Sequence, residues 1–396
     1  MNKIFFPSTL SLIVLVFLFS SCSSDTDVRP VIENYADIAL ASYEDALADA
    51  EAMDQAINEF VENPSKSTLQ SAKDAWLAAR ETYGQTEAFR FYGGPIDDEE
   101  GPEAQLNAWP LDESYIDYVV EPANGDLESN GANIINSPEE FPEIDKELIA
   151  SLNERGGETN VSSGYHAVEF LLWGQDLSSG PGGGERPYTD YVTGSEGTNE
   201  NQERRAEYLT ETSALILDDL QMLVNEWEED SDNYRAFFTS EDQLMNSVER
   251  ILNGIGKLSK GELAGERMFV SLDLRSKEDE HSCFSDNTHR DIVANAIGIK
   301  SVLTGMYTRS NGALISGPSI LQLIENKDPE LAAELRDTVT ESVSSSMQIQ
   351  APFDQEILNQ EGRQRIMETI NLLRRQGDLI AEAAAEFGFT VDPDAI

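Results

Sequence analysis

Histidine and carboxylate side chains stand at helix-compatible spacings in two short segments of this chain. In the first segment, Gly164 is followed by His166 and Glu169. Positions i and i+3 lie on one face of a helix, so the imidazole and the carboxylate should project together. Such a pair is half of a site for a transition metal. The same spacing also suits a plain hydrogen bond between the two side chains.

The second segment, residues 276–291, is denser in candidate metal ligands. It holds five carboxylates and two of the three histidines of the chain, His281 and His289. If the segment is helical, Glu278 shares a face with His281, and Asp286 shares a face with His289. The segment therefore predicts a metal-binding region, and a solvated acidic surface is the alternative.

A third candidate region is a stripe of aromatic and charged residues with spacings of four, three, four and three. Its members are Trp76, Arg80, Tyr83, Glu87 and Arg90. Charged side chains on a core-facing stripe must be paired, and such pairs often mark a functional cleft. The alternative is an amphipathic helix whose arginine stems cover apolar surface.

Helical periodicity over most of the chain predicts the elements that position these residues. Long alternating stretches of Val, Ile and Thr are absent from the sequence, so we predict an all-α protein without a sheet. The acidic stretch 228–232 indicates a boundary between an N-terminal domain (33–238) and a C-terminal domain (239–396), each long enough for a four-helix bundle. Apolar residues recur every three or four positions in 35–60, 69–91, 208–227, 244–258, 292–306 and 363–387.

Composition limits the classes of function. The 396 residues include 27 Lys and Arg against 74 Asp and Glu, which gives a formal charge of −47. Nucleic acid would be repelled by this charge and is not expected as a partner. An apolar fraction of 40% is sufficient for a large core, and two cysteines exclude a disulfide scaffold.

The N-terminus is typical of a bacterial lipoprotein. Lys3 precedes an apolar run at residues 10–19, which is short for a transmembrane helix, and small residues lead into Cys22. We predict a lipoprotein signal peptide at 1–21, lipidation of Cys22 and a polar tether at 22–32. Ser23 favours the outer membrane of the cell envelope. An ordinary cleaved signal with an incidental cysteine is the alternative.

Taken together, these motifs resemble the imelysin-like family of bacterial envelope proteins, formerly grouped as M75 metallopeptidases, and its iron-regulated protein A branch in particular. The resemblance rests on the GxHxxE signature at Gly164, His166 and Glu169 and on the residues 172–177 that follow it. Supporting stretches keep one order along the chain and are found at 83–87, 107–112, 186–190, 261–268 and 278–289.

The resemblance implies two similar helical bundles with the functional site at their interface, and a role in iron uptake. The site would bind iron or an iron-bearing ligand such as a chelate, with another divalent metal as the alternative; imidazole with oxygen-rich ligation suits iron. The predicted metal ligands are His166, Glu169, Glu266, Glu280, His281 and Asp286. The predicted supporting residues are Trp76, Arg80, Glu87, Arg90, Trp109, Arg267 and His289.

Two other functions compete with iron binding. The first is an envelope metallopeptidase that uses the HxxE pair, although the chain has neither HExxH nor GxSxG. The second is a structural role, in which the polar cluster only joins the two domains and iron-transport partner proteins carry the function. If the histidines bind a metal, binding should weaken as the pH falls through about 6.5, the ordinary pKa of histidine.

Overall fold

The computed structural model describes residues 27–120, 132–229 and 232–395. Helices dominate these residues, which confirms the all-α prediction. The longer helices are α1 (Arg29–Glu62), α2 (Lys66–Thr86), α6 (Gly164–Trp173), α7 (Gln202–Trp227), α9 (Leu244–Lys257), α11 (Thr288–Thr304), α12 (Ile320–Lys327), α13 (Pro329–Ser346) and α15 (Gln360–Glu386). The short ones are α3 (Glu103–Asn107), α4 (Glu113–Ile116), α5 (Lys146–Leu152), α8 (Tyr234–Phe238), α10 (Val270–Leu274) and α14 (Phe353–Leu358).

Four short 3₁₀ turns and one wider helix complete the helical structure of the described residues. The 3₁₀ turns are Glu87–Phe89, Ile134–Asn136, Tyr188–Tyr191 and Lys277–Asp279. The wider helix is a π-helix, Leu258–Phe269, which continues α9 without a break. π-Helical backbone is rare in proteins as a whole, and where it does occur it is often at a functional site.

A small β-hairpin corrects the prediction that the chain has no sheet. Strands β1 (Met306–Thr308) and β2 (Leu314–Ser316) pair in antiparallel fashion, with Tyr307 opposite Ile315. These strands are too short for an alternating pattern to be recognisable in the sequence. Gly305, with φ +65°, ends α11 just before β1.

The first helix begins earlier than the predicted tether allows. Helix α1 starts at Arg29, with Pro30 in its first turn, and Val31 and Ile32 are buried. Proline has no free amide hydrogen and is well tolerated at this position of a helix. Residues 29–32 therefore belong to the folded body, whereas the predicted signal peptide and Cys22 lie outside the described residues.

Helix α11 connects the two halves of the chain. It packs against α2 on one side and against α13 on the other, while α1 packs against α2 and α7. A Cβ at Gly84 would lie 2.7 Å from the Cβ of Ala294, and one at Gly298 would lie 2.4 Å from the carbonyl oxygen of Gln85. These glycines let α2 and α11 approach closely, and that crossing brings the candidate residues of the two halves together.

The C-terminal half has a core cluster of its own. Leu263 of the π-helix, Phe353 of α14 and Ile370 of α15 belong to it, and α15 packs along α9, the π-helix and α13. The predicted domain boundary at residue 238 coincides with the end of α8, and the division into two bundles remains a prediction. Within the described parts of the chain, none of the helices has the length and apolar character required to cross a bilayer.

Candidate functional site

Helix α6 carries the GxHxxE motif and is buried over its whole length. Gly164, its first residue, has φ +79°, and a Cβ there would lie 2.4 Å from the carbonyl oxygen of Leu106. Glycine is therefore required at this position both by the backbone conformation and by the space. One turn later, a hydrogen bond of 2.9 Å joins Nδ1 of His166 to Oε2 of Glu169.

A second histidine lies against the first. His281 is in the segment that leads from the Lys277–Asp279 turn into α11, and its ring centroid is 4.7 Å from that of His166, with the rings nearly perpendicular. Its Nδ1 is 3.0 Å from Oδ2 of Asp291, in the first turn of α11. Two histidines that are 115 positions apart in the sequence thus form a pair, and each of them is oriented by a carboxylate.

The outer nitrogens of this histidine pair have no partner. Both imidazoles are buried, and neither Nε2 has a hydrogen-bond partner among the residues that the structure describes. Buried polar atoms are nearly always hydrogen bonded, so an exception requires an explanation. Two such exceptions on adjacent rings mark this position as the candidate binding site.

The protonation states of the pair follow from burial and from nearby charges. Burial, together with the positive charge of Arg80, lowers the pKa of His166 to about 3. Burial and Arg267 lower the pKa of His281 to about 3. Both imidazoles therefore stay neutral well below pH 6.5, and the expected loss of binding near that pH is corrected to a much more acidic range.

The two carboxylates of the site differ in charge. Burial raises the pKa of Glu169 to about 8, although Ser285 donates two hydrogen bonds to Oε1, from N at 2.8 Å and from Oγ at 2.7 Å. Burial would also raise the pKa of Asp291, but Arg80 and His281 outweigh it and hold that pKa far below its usual range. Nδ1 of His281 therefore donates its hydrogen to an ionised Asp291.

Arg80 joins α2 to the second half of the chain. Its guanidinium donates to Oδ1 of Asp291 at 3.2 and 3.3 Å and to Oδ1 of Asn107 at 2.7 Å. Its Cζ lies over the rings of Tyr83 and Tyr165 at 5.4 and 5.3 Å. The predicted charged stripe is therefore buried, and its first arginine is paired as the interpretation required.

Glu87 forms the second connection between the halves. Arg267 of the π-helix donates to Oε2 of Glu87 at 2.8 Å, and Arg90 donates to the same oxygen at 2.7 Å. Burial by itself would raise the pKa of Glu87, but Arg267 and Arg90 lower it to about 2. Arg267 also binds Oδ1 of Asn295 on α11 at 2.9 Å. This network fixes α2, the π-helix and α11 relative to one another.

The other predicted ligands do not assemble around the histidines. Glu266 is exposed, and Glu262, on the same π-helix, pairs with Arg267 in its place. Asp286 accepts a hydrogen bond from the amide of Gly182 at 3.0 Å. Glu280 is fully buried and interacts with the side chain of Thr288, not with the histidines.

The six candidate ligands do not come together in one place, and their role in metal binding remains a prediction. Over residues 27–120, 132–229 and 232–395, no group of three or more His, Cys, Asp or Glu side chains is arranged to hold a metal ion. The physical reason is that the oxygens of Glu169 already bind His166 and Ser285, and the remaining acids face other elements. The histidine pair is the part of the predicted set that the fold brings together.

Three of the supporting residues lie at different distances from the pair. Trp109, half-buried, places its ring edge-on to His281 with the centroids 5.7 Å apart. Trp76 donates its indole hydrogen to the carbonyl oxygen of Tyr165 at 2.9 Å, which holds the start of α6 against α2. Nδ1 of His289 lies 3.2 Å from the carbonyl oxygen of Asp286, so His289 is outside the pair.

Sequence reasoning missed the residues that orient the histidines from a distance. In the sequence, Asp291 belongs to the acidic segment 276–291 and Asn107 to the motif at 107–112, but no pattern marks either as a residue of the site. No pattern marks Ser285 either. Asp291 is ten positions from His281, a separation that no helical or strand periodicity connects. Only the turn between His281 and α11 brings the two together.

Comparisons with known proteins agree with this architecture. Residues 39–380 match the profile of the imelysin family, peptidase M75. An iron-regulated protein A from Synechococcus elongatus is 23% identical over 362 residues, which cover 88% of this chain and 84% of that protein.

Two crystal structures have a similar fold. One is described as an iron-regulated protein A precursor from Parabacteroides distasonis, with TM-score 0.68 and 21% identity over 91% of this chain and 95% of the other. The second is an imelysin-like protein from Psychrobacter arcticum, with TM-score 0.62 and 13% identity over 91% and 97% of the two chains. Since the family profile covers most of its length, the chain belongs to the imelysin family.

Proposed function

We propose that this chain is a cell-envelope lipoprotein of iron uptake, and that its histidine pair binds iron carried by an oxygen-rich chelate. The observation that carries the proposal is the two adjacent, buried and unpartnered Nε2 atoms of His166 and His281. A hydrogen bond from Nδ1 to an ionised carboxylate, as between His281 and Asp291, is the usual support for a histidine that binds a metal. The relation to an iron-regulated protein A supports iron as the metal.

The donor set favours a chelate over a bare ion. Imidazole nitrogen is a good ligand for iron, but two nitrogens leave most of the coordination positions open. A chelate would fill them with its own carboxylate or hydroxyl oxygens. Arg80 and Arg267 lower the pKa of His166 through their charge, whereas Asp291 and Glu87 raise it, so the preference for a chelate rests on the open coordination positions and not on a charged surrounding.

Peptide hydrolysis is less well supported by the same geometry. A metallopeptidase needs a carboxylate that is free to take a proton from the metal-bound water. The two oxygens of Glu169 are engaged by His166 and by Ser285. Asp291 holds His281 and Arg80. Binding is therefore the function that the site favours.

Replacing either histidine of the pair should weaken the binding of ferric citrate. We expect His166→Ala and His281→Ala each to lose at least about tenfold in affinity, which corresponds to about 1.4 kcal/mol. Isothermal titration of the chain that begins at residue 23, which keeps every described residue, measures this. His289→Ala is the matched control and should bind as the wild type does, because its imidazole lies outside the pair.

The same variants separate binding from a purely structural role. Without metal, His166→Ala and His281→Ala should still fold and unfold cooperatively, with melting temperatures lowered by the loss of the Nδ1 bonds to Glu169 and Asp291. Failure of the wild type to bind ferric citrate, together with variants that unfold, would show that the pair only joins the two halves. Equal losses in all three histidine variants would also contradict the proposal.

The lipid anchor is the second part of the proposal. The anchor is supported by the small residues that precede Cys22 and follow an apolar run. An acylated cysteine with two or more chains anchors a protein stably, whereas a single chain does not. We expect Cys22→Ser to release the protein from the membrane fraction or to leave it unprocessed, as judged by fractionation and blotting. A variant that is processed normally and remains in the membrane would refute the anchor.

A further inference from the structure

A cavity of about 350 Å³ lies between α10 and the first two turns of α15. Its apolar wall is formed by Phe269, Leu272 and Met367, and its charged lining by Arg275, Arg363 and Asp273. None of these residues belongs to the histidine pair or to the network around Glu87. The volume is within the range of small-ligand sites, about 300–1,000 Å³.

The arginines of this cavity are unusual in a chain with 74 acidic and 27 basic residues. Neither Arg275 nor Arg363 forms an ion pair with a described residue, although carboxylates outnumber cations nearly threefold. Nε of Arg363 is buried and has no hydrogen-bond partner among the described residues. Arg275 is exposed and hydrated, so the group in the cavity that lacks a partner is the buried Nε of Arg363, which could donate to an anion.

A third unpaired arginine lies against the same wall. Cζ of Arg374 is 4.8 Å from the ring centroid of Phe269, and no carboxylate in the described residues pairs with it. Asp273, which is exposed, is the acidic residue that lines the cavity. The local charge around the cavity is therefore positive, opposite in sign to the charge of the whole chain.

The backbone places the two arginines of the cavity at helix ends. Arg275 ends α10 in the left-handed region, with φ 55°, where a side chain other than glycine, asparagine or aspartate is uncommon. Gln360 and Arg363 belong to the first turn of the 27-residue helix α15, whose N-terminal end carries a partial positive charge.

We propose that this cavity binds a small amphipathic anion, with a carboxylate or phosphate group at Arg275 and Arg363 and an apolar part against Phe269, Leu272 and Met367. The ligand is either a free small molecule of the envelope or the anionic end of a membrane lipid, because both present the same chemistry. This site is separate from the histidine pair, and its failure would leave the proposed iron site unaffected.

Binding of 8-anilinonaphthalene-1-sulfonate, an anion with an aromatic body, tests the proposal by fluorescence titration of the chain from residue 23. We expect saturable binding at one site by the wild type, and at least about tenfold weaker binding by the double variant Arg275→Gln/Arg363→Gln. The charge-matched control, Arg155→Gln/Arg336→Gln, alters exposed arginines elsewhere and should bind within twofold of the wild type. Arg363→Lys, which keeps the charge, should retain most of the affinity.

Competition identifies the source of the anion. Displacement of the probe by inorganic phosphate or octanoate supports a free ligand, and displacement by phosphatidylglycerol vesicles, but not by phosphatidylcholine vesicles, supports a lipid. The proposal is overturned if the wild type shows no saturable binding, if the control loses as much affinity as the cavity variant, or if none of these anions displaces the probe. Melting temperatures of both double variants verify that they fold.

Discussion

Asp291→Asn is expected to lower the free energy of unfolding by about 3–5 kcal/mol, the usual cost of removing one partner from a buried ion pair. The carboxylate of Asp291 accepts hydrogen bonds from Arg80, His281 and Ser282 and is 1% exposed. The asparagine keeps the size of the side chain but leaves the guanidinium of Arg80 buried without an anion. Urea unfolding of the chain from residue 23 measures the change.

A surface acid provides the comparison for this prediction. Asp378→Asn removes one partner of Lys260, which keeps Asp394, and the side chain of Asp378 is 48% exposed. Exposed ion pairs contribute about 0–1 kcal/mol, so this variant should unfold close to the wild type. Similar free energies of unfolding for the Asp291 and Asp378 variants would show that the connection between α2 and α11 does not depend on the buried ion pair.

Asp117→Asn should have an effect of the same size or larger. Asp117 is fully buried and accepts a bidentate interaction from Arg205, at 2.6 and 2.9 Å, and a hydrogen bond of 2.7 Å from Arg186. One carboxylate thus holds two buried guanidinium groups. If an amide nitrogen replaces one of its oxygens, the N–H groups of the amide would face the N–H groups of the arginines, and no hydrogen bond could form there. We expect the free energy of unfolding, measured in urea, to fall by about 3–5 kcal/mol.

A second exposed acid serves as the control for the Asp117 variant, because it shows the effect of removing a carboxylate that is not buried. Asp218→Asn removes the exposed partner of Lys146 and should change the free energy of unfolding by less than about 1 kcal/mol. Because total stability is about 5–15 kcal/mol, the Asp117 variant is also expected to be sensitive to proteolysis, and Asp218→Asn is not. Equal stability of the two variants would contradict the assignment of Asp117 as the centre of this cluster.

Local sequence patterns determined the helical class and the position of the motif on a helix. A period of three to four residues is produced by the geometry of the helix itself, so the ranges predicted for α1, α2, α7, α9, α11 and α15 differ from the observed bounds mainly at their ends. The spacing of His166 and Glu169 likewise fixed their contact, because i and i+3 positions meet on any helix. The stripe from Trp76 to Arg90 required buried, paired charges, and the fold supplies their partners.

Only the tertiary structure decided which residues surround the histidines. Asp291 reaches His281 through a turn, and Arg267 reaches Glu87 across 180 positions through the crossing of α2, α11 and the π-helix. Contacts of this kind depend on how helices pack, which no local period encodes. The same reason explains why Glu266 lies away from the histidines, although it has a suitable residue type and is close to His281 in the sequence. The turn of the π-helix directs it to solvent, while Arg267 next to it points inwards.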